Sequence, residues 1–373
     1  MGMKKILFVA SISGHIKAFH LPYLKWFKEN GYETHIACNT QIHLPYVDRF
    51  WQVDFERNPF KTNNIRSYFQ LKKIIDNEEF VLINCHTPMA SVLTRLASVK
   101  ARKKGTKLIY TAHGFHFYKG ASLKNWLLFY PIEKYLTKYT DAIITINTED
   151  YLRIKEKGSK LCKYFLVNGV GVDKKNFYPV DAIVKEQIRE ELEFPKDKLI
   201  FIYAGRLDRE KNHIFIINSV NNNKSLFNNI CILFAGSGDL DSDLRKKVSS
   251  LGLNDIIKFI GYRNDINRVY QASDFGLSSS VREGLGLNLV EEMFCGLPVV
   301  ATIDRGHKEI VDDKINGFLF TINSEKEFIS IIQNIKNETF NYNQMSEKAI
   351  EKAQKFEISS SLDAVTKVYK QFL

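Results

Sequence analysis

The chain has 373 residues, 45% of them hydrophobic and 25% charged, more than one hydrophobic core organises, so two globular domains are expected. Its net charge of +11 is uneven: residues 1–175 hold 28 Lys and Arg against 14 Asp and Glu, while residues 176–373 hold 25 against 28. No apolar run approaches the roughly 18–20 residues that span a bilayer, and no basic–apolar–small leader precedes the first apolar segment, so neither a membrane-spanning nor an exported protein is expected.

In chain order, apolar runs predict strands at Lys5–Ala10, Glu33–Cys38, Phe80–Cys85, Lys107–Ala112, Ala142–Asn147 and Tyr164–Val167. Amphipathic segments at Phe19–Asn30, Asn64–Asn77, Ser91–Lys103 and Leu123–Tyr139 predict the intervening helices. The scheme repeats with strands at Leu199–Ala204, Ile230–Ala235, Ile257–Ile260, Phe275–Ser278, Val299–Thr302 and Gly317–Phe320. Such alternation means parallel sheets covered on both faces. A polar stretch with prolines near both ends, Asn176–Pro195, marks the boundary. The expected division is 1–178, 179–357 and a last amphipathic helix in 358–373. Two doubly wound domains in tandem bind ligands at the carboxyl ends of their strands, in a cleft. The five cysteines, Cys38, Cys85, Cys162, Cys231 and Cys295, have no CxxC spacing and read as reduced thiols of a cytoplasmic protein.

The most informative stretch is Ser278–Thr302, SSSVREGLGLNLVEEMFCGLPVVAT, with Glu283 and Glu291 on either side of a glycine turn and a helix start. A helix start beside glycines leaves N–H groups free for phosphate. Two flanking carboxylates can accept hydrogen bonds from sugar hydroxyls, so the stretch suits a nucleotide sugar. Taken singly, either acid reads as a surface carboxylate favoured by the helix dipole.

This segment resembles the E-x7-E signature of glycosyltransferase family 4, retaining enzymes of GT-B fold. The resemblance implies that Glu283 contacts the donor sugar, Glu291 the ribose, and the backbone of Gly284, Leu285, Gly286, Leu287 and Asn288 the diphosphate. AGRLDREKN, Ala204–Asn212, follows a strand and is similar to the family's Gly-Arg-then-Lys turn; Gly205, Arg206 and Lys211 then take the donor diphosphate. Fixed cations there offset the charge of the leaving group.

SISGHIKAFH, Ser11–His20, carries one Gly14 followed by His15 where many family members have two glycines. It is a candidate donor loop, and it is not the GxGxxG of a dinucleotide oxidoreductase. TAHGFHFYKG, Thr111–Gly120, ends a strand. His113 matches the family's active-site histidine near the donor sugar. His116, Tyr118 and Lys119 resemble the variant of exopolysaccharide and capsule enzymes and, with His86 of CHTP, are acceptor candidates. Gly236 in FAGSGDL is a donor candidate; Asp239 and Asp241 beside it form a D-x-D pair that reads as helix capping rather than metal binding. After Gly261, Tyr262 and Arg263 border the nucleobase by resemblance, or form an ordinary exposed turn. NGVGVD, Asn168–Asp173, reads as an inter-domain turn.

The resemblance implies no metal and no cofactor, and neither a zinc ligand set nor a nucleophilic triad is legible. The implied reaction is same-face attack through an oxocarbenium-like state, the donor phosphate taking the acceptor proton, with domain closure excluding water. The implied donor is a UDP-sugar and the implied acceptor a polyprenyl-diphosphate saccharide at the inner face of the cell membrane. The basic half, with Lys100, Arg102, Lys103 and Lys104 and with Trp126, Phe129 and Tyr130 near Lys124, is expected to touch anionic lipid. No nucleic-acid recognition motif accompanies the charge. A GT-B nucleotide-sugar 2-epimerase and a non-catalytic nucleotide-sugar-binding protein are the alternatives.

Overall fold

The computed structural model describes residues 2–373 and divides the chain into two units. The first runs to Val170 and includes Ser359–Leu373; the second is Gly171–Ile358. The division thus falls after Val170, where the sequence placed it after residue 178.

The first unit holds β1 (Lys5–Val9), β2 (Glu33–Cys38), β3 (Arg49–Gln52), β4 (Leu82–Cys85), β5 (Lys107–Ala112), β6 (Ala142–Thr145) and β7 (Lys163–Leu166). They pair in parallel in the order β3-β2-β1-β4-β5-β6-β7. The second unit holds β8 (Leu199–Ala204), β9 (Ile230–Ala235), β10 (Ile257–Gly261), β11 (Phe275–Ser278), β12 (Val299–Thr302) and β13 (Gly317–Phe320), in the order β10-β9-β8-β11-β12-β13. Central strands such as Leu7–Val9, Ile83–Cys85 and Phe201–Tyr203 are wholly buried, because helices cover both sheet faces and both sets of alternating side chains must be apolar. Helix starts are fixed locally. Ser122, Asn147, Asp181, Ser324 and Asn341 each accept a backbone N–H at the start of their helices.

In each sheet the strand order reverses beside the first strand of its unit, between β1 and β4 and between β8 and β11. Loops leaving the carboxyl ends of strands on either side of such a reversal diverge and leave a crevice. This places the loops after β1, β4 and β5 together in one unit, and those after β8, β9 and β11 together in the other.

The helix Ile358–Lys370 belongs to the first unit. Its Tyr369 is buried against Phe8 and Phe27, and Asn84 Nδ2 donates to its hydroxyl at 2.5 Å.

Several elements differ from expectation. Strand β3 was not anticipated, because RFWQ is a partly exposed edge strand without an apolar run. Ser11–His20 is not a loop: Ser13–Phe19 is a helix, and the expected helix Phe19–Asn30 is a second one, Leu21–Glu29, after a break at His20. Gly14 lies inside that first helix and has no positive φ, so nothing in its backbone requires glycine. Ser91–Lys103 is two helices, Pro88–Ala97 and Val99–Lys103. Asp239 does not cap the helix Asp241–Ser250. The cap residue is Leu240, which offers no side-chain hydrogen bond, and Asp241 pairs with Arg245 at 2.6 Å.

Candidate functional site

In the second unit the loops after β8, β9 and β10 are stitched by backbone. The Gly205 N–H donates to Ala235 O at 2.9 Å, and the Gly236 N–H to Gly261 O at 2.8 Å. A Cβ on Gly236 would stand 1.9 Å from the Gly205 carbonyl oxygen, so no side chain fits there. Along the first of these loops, the Lys211 N–H donates to Asp208 Oδ1 at 3.0 Å, and Lys211 O accepts from the Tyr203 and Ser279 hydroxyls. With its main chain held, Lys211 extends over Gly205, whose Cβ would meet its side chain at 3.3 Å. Its Nζ reaches Glu283 Oε1 at 2.5 Å.

Glu283 is fixed from two residues that the sequence motifs did not single out. Its N–H donates to Asp304 Oδ2 at 2.8 Å, and its carbonyl accepts from Arg305 Nε at 3.2 Å. Asp304 Oδ1 also takes the N–H groups of Gly306 and His307, at 2.8 and 3.1 Å. The Lys211 and Glu283 side chains are 18% and 14% exposed. Burial works against both charges, but each ion offsets it for the other: the ammonium's pKa is raised and the carboxyl's lowered. Arg206 is 68% exposed and pairs with Asp208 at 2.9 Å. An exposed guanidinium on the same loop as a buried ammonium can close on an anion.

Downstream of Glu283 the helix Leu287–Phe294 starts at Gly286, whose φ is +99° and whose Cβ would lie 3.2 Å from the His307 ring. No side chain caps this helix and no acid lies in its first turn, which leaves its N-terminal N–H groups and positive dipole end open to an anion. Glu291, one turn on, accepts from the Tyr270 hydroxyl at 3.1 Å. Burial raises its pKa to about 7. Glu292 beside it is wholly buried, and burial and Glu291 hold its pKa well above the usual carboxylate range against the opposing pull of the Asn288 side chain. It fits only because residue 276 is glycine: a Cβ there would meet Glu292 Oε2 at 2.0 Å.

Tyr262 is 75% exposed. Arg263 is held by Asp265 through two bonds, of 2.8 and 2.5 Å. Asp239 and Asp241 are not part of a cluster that could hold a metal among the described residues.

The first unit gathers four histidines at its strand-order reversal. His15 rides on the helix after β1, His20 follows that helix, His86 follows β4 and His113 follows β5. His113 Nε2 lies 3.4 Å from His86 Nδ1, the His15 ring meets the His113 ring edge-on at 4.5 Å, and His20 stacks on His86 at 3.8 Å. Burial is the largest cause lowering all four: His15 to about 4, the others well below the usual imidazole value. All four are therefore neutral at physiological pH. His20 was missed from sequence, where nothing ties it to the others. His86 is fully buried beneath His113 and is not at the surface as an acceptor contact. Of the neighbouring acceptor candidates, the His116 ring packs on Phe129 at 4.7 Å, Tyr118 is partly buried, and the exposed Lys119 donates its N–H to Glu149 Oε1 at 2.7 Å.

Residues 5–147 match the family model of glycosyl transferase 4-like proteins, and residues 184–356 that of glycosyl transferases group 1. EpsD of Bacillus subtilis (strain 168), named as a glycosyltransferase by assignment, is 40% identical over 99% of this chain and 97% of its own. The UDP-Gal:alpha-D-GlcNAc-diphosphoundecaprenol alpha-1,3-galactosyltransferase of Escherichia coli is 27% identical over 76% of this chain and 73% of its own. Among solved structures, Anabaena HepE in complex with UDP superposes with a TM-score of 0.79 at 20% identity, covering 99% of this chain and 100% of that one, which shows a shared fold.

Proposed function

The chain belongs to the group 1 glycosyl transferases, of GT-B fold, and on that premise we propose that it moves a hexosyl or N-acetylhexosaminyl group from a UDP-sugar to a lipid-linked saccharide, with retention, in exopolysaccharide or capsule assembly. The observation that carries this reading is the buried Lys211–Glu283 pair beside the uncapped helix start at Gly286. A cation, open N–H groups and a carboxylate within one crevice match a diphosphate joined to a sugar.

In the proposed reaction the bond from the anomeric carbon to the β-phosphate oxygen breaks while the acceptor hydroxyl oxygen attacks the same face. The acceptor proton passes to the departing phosphate. Lys211 and Arg206, rather than a metal, take up the charge that develops on the diphosphate, together with the Gly284–Asn288 backbone. Glu283 holds sugar hydroxyls and Glu291 the ribose. Gly205 and Gly236 let their loops pack closely against each other and Lys211 beside the phosphates, and Tyr262 lies against the base. In the first unit His113 borders the sugar or acceptor, with His116, Tyr118 and Lys119 in the same loop. Supporting the donor and acceptor classes are the UDP of the HepE complex and the diphosphoundecaprenol named for the Escherichia coli relative.

Contact with anionic membrane is part of the proposal, with a different surface from the one expected. Trp126, Phe129 and Tyr130 pack on the core of the first unit, and Arg102 is spent on Asp141 through two 2.8 Å bonds. The exposed apolar residues of the helix Leu123–Leu136 are instead Leu123, Leu127, Ile132 and Tyr135, with Lys124 and Lys134 on the same helix. This pattern fits the lipid interface. No helix among the described residues is long and apolar enough to cross a membrane.

The test is a panel of UDP-, GDP- and ADP-sugars with a polyprenyl-diphosphate saccharide, read by mass spectrometry. The expected product is the acceptor plus one sugar from a UDP donor, lost in Glu283→Ala. A free or nucleotide-linked epimerised sugar formed without acceptor, or full activity in Glu283→Ala, overturns the reading.

A further inference from the structure

We propose that the first unit binds one divalent transition-metal ion through His15, His20, His86 and His113. Each of the four offers one ring nitrogen, and these nitrogens all lie within 4.8 Å of one another. The His113 Nε2–His86 Nδ1 separation, 3.4 Å, is already the edge of a tetrahedron built on metal–nitrogen bonds of about 2.0–2.1 Å. The other rings turn inward to reach the same ion, and His20 tilts out of its stack on His86 to do so. A small cavity lined in part by His20, His86, Thr111 and Tyr369 adjoins them.

The chemistry of the ring nitrogens points the same way. His15 Nε2 and both nitrogens of His20 are buried and bonded to no protein group. Burying unpaired imidazole nitrogens is unfavourable, and an ion that takes one lone pair from each ring offsets part of that penalty. The ligand set is all imidazole, with no carboxylate or thiolate among the four. That excludes the oxygen-seeking Mg²⁺ and Ca²⁺ and suits Zn²⁺, Co²⁺, Ni²⁺ or Cu²⁺. The four residues come from the loops after β1, β4 and β5, which are distant in sequence, so an ion would tie those loops together.

Metal binding is read without substrate, so its failure leaves the transferase proposal standing. Tag-free protein stripped with chelator is titrated with Co²⁺ and Zn²⁺ by calorimetry, with visible absorption of the Co²⁺ form. The expected result is one ion per chain with the intense d–d bands of a tetrahedral nitrogen site, displaced by Zn²⁺. His20→Phe keeps an aromatic ring but no ring nitrogen and should weaken binding by more than about 100-fold, because even partners outside the ligand shell are worth about 10–100-fold. His43→Ala, an exposed histidine outside the cluster, should bind as wild type. If His20→Phe does not fold, the Co²⁺ spectrum of the wild type decides alone. Less than one ion per chain, weak octahedral bands, or wild-type affinity in folded His20→Phe overturns the proposal.

Discussion

The Lys211 ammonium lies 2.5 Å from the Glu283 carboxylate, although 72 residues separate them in the chain. Each is the other's compensation for burial, so neither can be removed cleanly. Lys211→Met or Glu283→Gln alone should cost about 3–5 kcal/mol of stability, the usual penalty for stranding one member of a buried pair. The double variant Lys211→Met/Glu283→Gln should recover much of that. Urea unfolding of the four proteins measures it, and additive losses would show that the pair is not coupled.

Arg206 makes the opposite case. It is 68% exposed, so Arg206→Ala should leave stability within about 0.5 kcal/mol of wild type. Nucleoside diphosphate affinity should nevertheless fall about 10-fold or more, from loss of a charge-assisted contact worth about 1.5–3 kcal/mol. Calorimetric titration with UDP alongside a melting curve separates the two effects.

Glu291 titrates near pH 7, and its proposed role as a ribose acceptor requires the carboxylate. Protonation therefore weakens donor binding: affinity should rise as pH increases through 7 and level off above it. In Glu291→Gln the rise should disappear. Binding isotherms across that range test the slope, and a pH-independent wild-type affinity would remove Glu291 from the ribose.

Glu292 has a folded-state pKa well above its unfolded value of about 4.5 because burial and the neighbouring Glu291 disfavour its carboxylate. A raised carboxyl favours the protonated fold, so its contribution is intact below the unfolded pKa and drains away as pH rises toward the folded one. Glu292→Gln removes that drain at nearly the same volume. It should raise stability at neutral and alkaline pH, where the buried carboxyl would otherwise have to ionise, with little gain under acid conditions. Melting temperatures over a pH series measure this.

The strands and the parallel class were legible because buried parallel strands are continuous apolar runs, as in Ile230–Ala235 and Leu199–Ala204. The short edge strand Arg49–Gln52 was not, since half-exposed residues carry no such run. Glu283 and Lys211 stood out by motif. Their contact did not, because it depends on where the strand order reverses, which no local pattern encodes. Asp304 escaped for the same reason, as a residue whose value lies in holding another loop's backbone. The histidine cluster was hidden most completely: His15, His20, His86 and His113 meet only once three loops converge, and spacing along the chain says nothing of that.

The most direct measurement is a crystal structure of the protein soaked with UDP. The account predicts diphosphate oxygens within hydrogen-bond distance of Lys211 Nζ and of the N–H groups of Gly284–Asn288, with a ribose hydroxyl on Glu291. A diphosphate bound elsewhere, with Lys211 and Glu283 still paired and untouched, would contradict it.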